Sequence, residues 1–323
     1  MSLALLFSPQ GSQAVGMGRA LAEASPAARA RFDEADRVLG WSVSGTCWEG
    51  PEKRLNDTRQ TQPCLVTAAL AARDALGEGM AARGMALAPA RVAGHSVGEY
   101  AALAAAGVLS FADALRLVAL RGRLMADAGV HGGMAAVMGL DRDRIGELLA
   151  ETVPGDVVVA NDNAPGQVVV SGPLRAIHQA EPTLLAAGAR RVIGLKVSGP
   201  FHSPRMTSVG SALAEAFAGA DWHPADPPLV SNVTAAPVVD PDRLRELLSL
   251  QVSSPVEWVA SVRSMLADGV DTFVECGSGS ALVGMVRRIA PQARAFSVGD
   301  PDSLAATLDG LVAPVTAGSE ASG

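Results

Sequence analysis

The pentapeptide Gly94-His95-Ser96-Val97-Gly98 constrains this chain more than any other feature. It places a serine between two glycines, directly after the short apolar run Val92-Ala93 and before an alanine-rich stretch with helical character. In a strand-to-helix elbow a serine sits on a strained turn that exposes its hydroxyl. The flanking glycines supply room, because a side chain at either position collides with the neighbouring strand or helix. The N–H groups that follow open a helix N-terminus and point toward negative charge on a bound acyl group. This is the equipment of an acyl-enzyme nucleophile. A bare G-x-S-x-G also arises by chance, so the serine's partners must be sought elsewhere in the chain.

With 323 residues, 49% of them hydrophobic, the chain is long enough to bury a large core and to divide into two domains. Aromatic residues are only 4%, so that core is expected to be packed from small aliphatic side chains. The net charge of −7 argues against a nucleic-acid surface. Three widely spaced cysteines, Cys47, Cys64 and Cys276, suit neither a disulfide framework nor a zinc site. The opening MSLALLFSPQG is too short an apolar stretch for a signal peptide, and no run of 18 apolar residues follows. The expectation is a soluble, cytoplasmic protein without a metal or cofactor, and with neither nucleic acid nor membrane as a partner.

Strands and helices alternate along the sequence. A buried strand over 3–7 leads to a Gly-rich turn and a helix ending near 39. A long helical pattern covers 62–82, the strand 91–93 precedes the elbow, and helices follow over 97–106 and 111–127. After Gly132-Gly133 the order becomes strand, helix, strand, strand, helix, strand (134–139, 143–151, 156–160, 167–171, 173–187, 191–195). That is a ferredoxin-like α+β arrangement. The larger pattern resumes with a helix over 203–218, a strand over 229–233 and helices near 243–251 and 256–268. A strand (272–275), a helix (280–289) and a last strand (294–297) complete it. The predicted fold is a large hydrolase-like α/β domain with a parallel sheet, spanning 1–130 and 197–312. A small ferredoxin-like subdomain (131–196) interrupts it, and a disordered tail follows over 313–323.

A nucleophilic serine needs a base, and histidine suits working pH. His178 reads as a solvated residue on a helix, while His131 and His223 lie in turn-rich stretches. His95 is too close to Ser96 in the elbow for its ring to reach that hydroxyl productively. His202, in Val197-Ser198-Gly199-Pro200-Phe201-His202-Ser203, stands where the small segment hands back to the large one, a usual place for a cleft. The same residues also fit a helix-capping loop with an incidental histidine. The turn Phe7-Ser8-Pro9-Gln10-Gly11-Ser12-Gln13 ends the first strand, where open α/β sheets bind ligands, and a backbone N–H there can complete an oxyanion hole with that of Val97. An ordinary strand-to-helix turn accounts for it equally.

Taken in order, these stretches resemble the malonyl-CoA:acyl-carrier-protein acyltransferase family over about residues 3 to 300. Gln10-Gly11-Ser12-Gln13 resembles its GQGSQ turn, with Pro9 in place of the first glycine, and Thr61-Gln62-Pro63 resembles its TQP. GHSVGEY (94–100) matches the nucleophile motif, and Arg121-Gly122-Arg123-Leu124-Met125 resembles RGxxM. Asn163-Ala164-Pro165-Gly166-Gln167-Val168-Val169 resembles NxPxQxV, the stretch from Gly199 to Met206 resembles GxFHSxxM, and Gln251 matches the residue near the family's histidine.

The resemblance implies a ping-pong transfer of a malonyl group from CoA to the phosphopantetheine thiol of an acyl carrier protein. Ser96 is then the nucleophile and His202 the base, with the N–H groups of Gln10 and Val97 as oxyanion hole and the main chain near Gln251 orienting the imidazole. It further implies that Arg121 pairs with the acyl carboxylate, beside Phe201, His95 and Met125. Val97 after the serine and Phe201 before the histidine match the malonyl pattern rather than the methylmalonyl one. Arg190, Arg191, Lys196, Arg205, Arg287 and Arg288 are candidates for steering an acidic carrier protein, although solvated element ends explain them as well. The resemblance also implies a free-standing enzyme, expected to be a monomer, acting in fatty acid or polyketide biosynthesis. The residues leave open another acyl donor, an editing acyl hydrolase, or a non-catalytic partner protein on the same fold.

Overall fold

A computed structural model describes residues 2–312, so the tail expected over 313–323 lies outside the described residues. Among the described residues ten strands occur in chain order: β1 (Leu3–Phe7), β2 (Arg91–Gly94), β3 (Gly133–Met138), β4 (Val158–Ala164), β5 (Gln167–Gly172), β6 (Arg191–Gly194), β7 (Leu229–Val230), β8 (Pro237–Val238), β9 (Thr272–Cys276) and β10 (Arg294–Val298). They form two sheets, ordered β10-β9-β1-β2-β7-β8 and β4-β5-β3-β6. The first is parallel except for β8, and the second is antiparallel. The expected α/β class and the smaller ferredoxin-like sheet are both present.

The apolar run of β1 shows why the sheet is covered on both faces. Successive side chains of a strand point to opposite sides. Leu3, Leu5 and Phe7 accordingly join one core with Val66, Ala69 and Leu70 of the helix Thr58–Ala81. Ala4 and Leu6 join another with Trp258, Val262 and Leu282. A strand buried on both faces reads as a continuous hydrophobic run, which is what LALLF is. The antiparallel sheet has its own core, built around Val137, Ile145, Val168 and Leu184. The two parts are stitched at the cleft by Val256, whose N–H donates to the Ala160 carbonyl (2.8 Å) and whose carbonyl accepts from the Asp162 N–H (3.0 Å).

Several elements depart from the sequence expectation. The helix ending near 39 is two helices, Arg19–Ala24 and Pro26–Leu39, separated by Ser25, whose hydroxyl caps the second by accepting from the Ala28 N–H at 3.1 Å. Two short helices, Val43–Glu49 and Glu52–Leu55, and the final helix Pro301–Val312 were not anticipated. The strand expected over 229–233 ends at Val230, because Asn232 leaves the sheet to hydrogen-bond the elbow. The helix expected over 203–218 begins as a 3₁₀ turn, Pro204–Met206, and is α-helical only over Thr207–Phe217.

Candidate active site

The elbow forms at the carboxyl end of β2. Ser96 has φ of 53°, the left-handed conformation that a non-glycine residue adopts only when its surroundings hold it there. A Cβ on Gly94 would lie 2.0 Å from the Gly98 carbonyl, and one on Gly98 would lie 2.2 Å from the Phe7 carbonyl oxygen on β1. Both neighbours are backbone and cannot swing aside. Gly98→Ala is therefore expected to cost about 3 kcal/mol, the upper part of the overpacking range, and to lower Tm by roughly 4–5 °C in a chain of this length. A melting curve identical to the unsubstituted protein's would show that the elbow has room after all.

Asn232, fully buried, holds the turn from behind. Its Oδ1 accepts from the Ser96 N–H (2.7 Å), its Nδ2 donates to the Gly94 carbonyl (2.6 Å), and its own N–H donates to Glu99 Oε1 (3.1 Å). The sequence reading missed this residue. The available signal was an amide side chain at the end of the apolar run Leu229-Val230.

His202 comes to the serine from the loop before Pro204–Met206. Its φ is 56° and its N–H is tied to the Val252 carbonyl at 3.0 Å. Nδ1 faces two carbonyl oxygens, of Gln251 (3.0 Å) and Ser254 (3.1 Å), and so carries the ring proton. Nε2 is thereby left as an acceptor, 2.7 Å from Ser96 Oγ. Burial pushes the imidazole down to about 3, with the Arg121 charge and His95 adding to the effect, so the ring is neutral and able to take a proton at neutral pH. Main-chain carbonyls occupy the position that an acid holds in a Ser-His-Asp relay.

On the far side of the serine, Arg121 is 1% exposed. The helix Phe111–Asp127 packs against Thr58–Ala81 and brings this guanidinium to Gln62, whose Oε1 accepts from Nη1 at 2.8 Å. Nη2 donates to Ser96 Oγ (3.1 Å) and to Gln251 Oε1 (3.0 Å). Every one of these partners is neutral, and burial lowers the group's affinity for its proton. Gln62 Nε2 also contacts Met125 Sδ at 3.3 Å. Gln251 contributes its side chain as well as its carbonyl: Nε2 donates to the Ser96 carbonyl (2.9 Å) and to Glu99 Oε2.

A cavity of about 510 Å³ opens between the two sheets. Ser96, His202, Gln10, Phe201, Met125 and His95 all line it, whereas Arg121 lies behind the serine and does not. His95 Nε2 bonds Asn163 Oδ1 at 2.8 Å and its ring lies 5.4 Å from that of Trp258, so it serves the cavity wall and not the serine. Burial pushes the His95 imidazole down to about 4. The backbone N–H groups of Gln10 and Val97 donate to no main-chain acceptor among the described residues. His178 is exposed on the helix Leu174–Ala186, which packs on the antiparallel sheet.

The six cations singled out above differ in their surroundings. Lys196 is exposed at the cavity rim, and Arg190 and Arg191 are exposed at the start of β6. Arg205 pairs with Asp156 at 3.1 Å. Arg288 bonds Gln167 Oε1 (2.6 Å) and the Pro165 carbonyl, while Arg287 reaches the Ala295 carbonyl at 3.4 Å. Among the described residues, no three His, Cys, Asp or Glu side chains are grouped to hold a metal, and no helix is long and apolar enough to cross a membrane.

A serine poised on an elbow and polarised by a carbonyl-held histidine is suited to chemistry through a serine ester, which places the molecule among the α/β serine acyltransferases. Comparison of the whole chain narrows that class, since residues 4–302 match the acyl transferase domain family. The chain is 39% identical to the malonyl CoA-acyl carrier protein transacylase of Bacillus subtilis, over 94% of this chain and 95% of that protein. It superimposes on the acyl-carrier-protein S-malonyltransferase of Burkholderia pseudomallei with a TM-score of 0.90 at 39% identity, covering 96% of this chain and all of that one. Equally close, with a TM-score of 0.90 and 37% identity over 96% of this chain and all of that one, is a malonyl-transacylase solved in complex with its type II PKS acyl-carrier protein. The chain belongs to the malonyl CoA-acyl carrier protein transacylase family.

Proposed function

We propose that this protein transfers a malonyl group from CoA to the phosphopantetheine thiol of an acyl carrier protein, with Ser96 as the covalent carrier. The observation that carries the reading is the position of Ser96 Oγ, 2.7 Å from His202 Nε2 and 3.1 Å from a buried arginine. The first contact removes the hydroxyl proton. The second puts a carboxylate-binding fork beside the atom that becomes the ester oxygen.

His202 Nε2 takes the proton from Ser96 Oγ as that oxygen attacks the thioester carbonyl. The N–H groups of Val97, at the start of the helix Gly98–Ala105, and of Gln10 are the donors for the oxyanion. The CoA sulfur then leaves with the proton that His202 returns. In the second half the carrier thiol gives its proton to His202, attacks the malonyl ester, and Ser96 is restored. Arg121 exchanges its bonds to the neutral oxygens of Ser96 and Gln251 for a two-pronged pair with the acyl carboxylate. Phe201, buried beside His202, closes the space that an α-branch would need. Similarity to the transacylase solved with its carrier protein supports an acyl carrier protein as acceptor, and exposed Lys196 at the rim is well placed to meet an acidic one.

Intact mass after brief exposure to malonyl-, methylmalonyl- and acetyl-CoA tests the reading. The expected result is a malonyl adduct that is absent from Ser96→Ala. Adducts from acetyl-CoA alone would overturn the assignment of Arg121, and a malonyl adduct persisting in Ser96→Ala would overturn that of the serine.

A further inference from the structure

We propose that Glu99 is a positioning residue for the carboxylated acyl group: it is the resident counter-charge of Arg121, joined to it through the Gln251 side-chain amide, and it takes up a proton from solvent when the acyl carboxylate pairs with that guanidinium. The inference rests on the malonyl reading above and adds to it a residue and a proton.

Arg121 is a buried cation whose hydrogen bonds all run to neutral oxygens, those of Gln62, Ser96 and Gln251. The carboxylate whose charge reaches it belongs to Glu99, which is 3% exposed. Glu99 Oε1 accepts from the Asn232 N–H at 3.1 Å, and Oε2 accepts from Gln251 Nε2. The same amide turns its Oε1 to Arg121 Nη2 at 3.0 Å. An amide has one donating and one accepting end. An anion on one side and a cation on the other therefore fix its orientation, and Glu99, Gln251 and Arg121 form a charge pair bridged by a dipole.

This arrangement balances one buried cation with one buried anion. A malonyl carboxylate brings a second anion into the same dry site, and like charges so placed cannot both remain ionised cheaply. The carboxylate in direct contact with the guanidinium keeps its charge. Glu99, one amide further away, accepts the proton. Its readiness shows in the free protein, where burial pushes its carboxyl up to about 7 against the opposing pull of Gln251, Asn232 and Arg121.

The neighbouring groups do not compete for that proton. Tyr100, on the same helix, is pushed up by burial and stays protonated. His202, across Gln251, and His95 are held low by burial and stay neutral. The helix Thr58–Ala81 presents the neutral Gln62 to the guanidinium, and the segment after β7 presents the neutral Asn232. Once protonated, Oε2 needs an acceptor in place of a donor. Gln251 Oε1 becomes available for this when Arg121 has turned to the substrate and the side-chain amide turns over.

Proton uptake can be counted by isothermal titration calorimetry. Malonyl-CoA and acetyl-CoA are titrated into the Ser96→Ala protein at pH 8 in phosphate and in Tris, whose ionisation heats differ. Ionisations of CoA itself are common to both ligands and cancel between them. The expected excess for malonyl-CoA is about half a proton or more, and it disappears in Ser96→Ala/Glu99→Gln. Equal proton numbers for the two ligands, or an excess that survives Glu99→Gln, would overturn the proposal. Should the double variant not fold, the single one still decides the matter. Its preference for malonyl-CoA over acetyl-CoA is expected to fall roughly tenfold between pH 6.5 and 8.5 as Glu99 ionises in the free protein, and a flat ratio would overturn the proposal. Failure of malonyl-CoA to bind at any pH would instead overturn the malonyl reading itself.

Discussion

His202→Ala is expected to slow malonyl transfer by about 10³–10⁴-fold, and adding Ser96→Ala is expected to cost little more. The two side chains act on one proton, shared across 2.7 Å, so removing either leaves the other with nothing to do. The variant should still fold. It leaves the Gln251 and Ser254 carbonyls without their imidazole donor, which costs about 1–3 kcal/mol at a buried site, a loss readable as Tm and separable from kcat. Its pH profile should also differ from that of a solvent-exposed histidine base. With the imidazole held near 3, the fraction competent to take a proton does not decline as pH falls from 8 to 6. Rates of malonyl transfer to the carrier thiol in His202→Ala, Ser96→Ala and the double variant test this. Two separate, multiplying losses would show that serine and histidine do not share the proton.

Arg121→Ala is expected to lower kcat/KM for malonyl-CoA by about 10²–10³-fold while sparing acetyl-CoA, because only the former loses a buried charge partner. Truncation also leaves the Gln62 and Gln251 side-chain oxygens without their donor, so part of the loss is structural and falls on both substrates. The malonyl-to-acetyl ratio removes that common part. Arg121→Lys should recover little, since an ammonium offers no planar fork to meet a carboxylate with two parallel bonds. If both thioesters fell together, Arg121 would be a support for Ser96 Oγ and selectivity would have to come from another wall of the cavity.

The residues that build this site differ in how far they could be read along the chain. The elbow was legible because its requirements are local: two glycines, a serine and a change of periodicity within a few residues. The four strands and two helices of the antiparallel sheet were legible for the same reason, with turn residues separating each apolar run. The final helix Pro301–Val312 has a local start signal too, for Asp300 Oδ1 accepts from the Ser303 N–H at 2.8 Å in an N-terminal cap just before a proline. Gln62 was noticed only as part of a motif. Its role as Arg121's partner depends on how two helices cross, and no periodicity of either helix contains that information.

The sequence by itself determined the fold class and the serine elbow, since burial pattern and turn chemistry act between near neighbours and leave their mark there. It also pointed to His202 and Arg121, through motifs that resemble one family. Tertiary structure alone decided how these groups are connected. Ser96 and His202 are 106 residues apart, Ser96 and Asn232 are 136 apart, and Glu99 and Gln251 are 152 apart. Hydrogen bonds over such separations require each partner to be delivered by a different element at a distance near 3 Å. Nothing local in GHSVGEY says whether its glutamate is buried. Only packing against the helix that carries Arg121 and the turn that carries Asn232 buries it, and burial is what makes its charge answer to the substrate's.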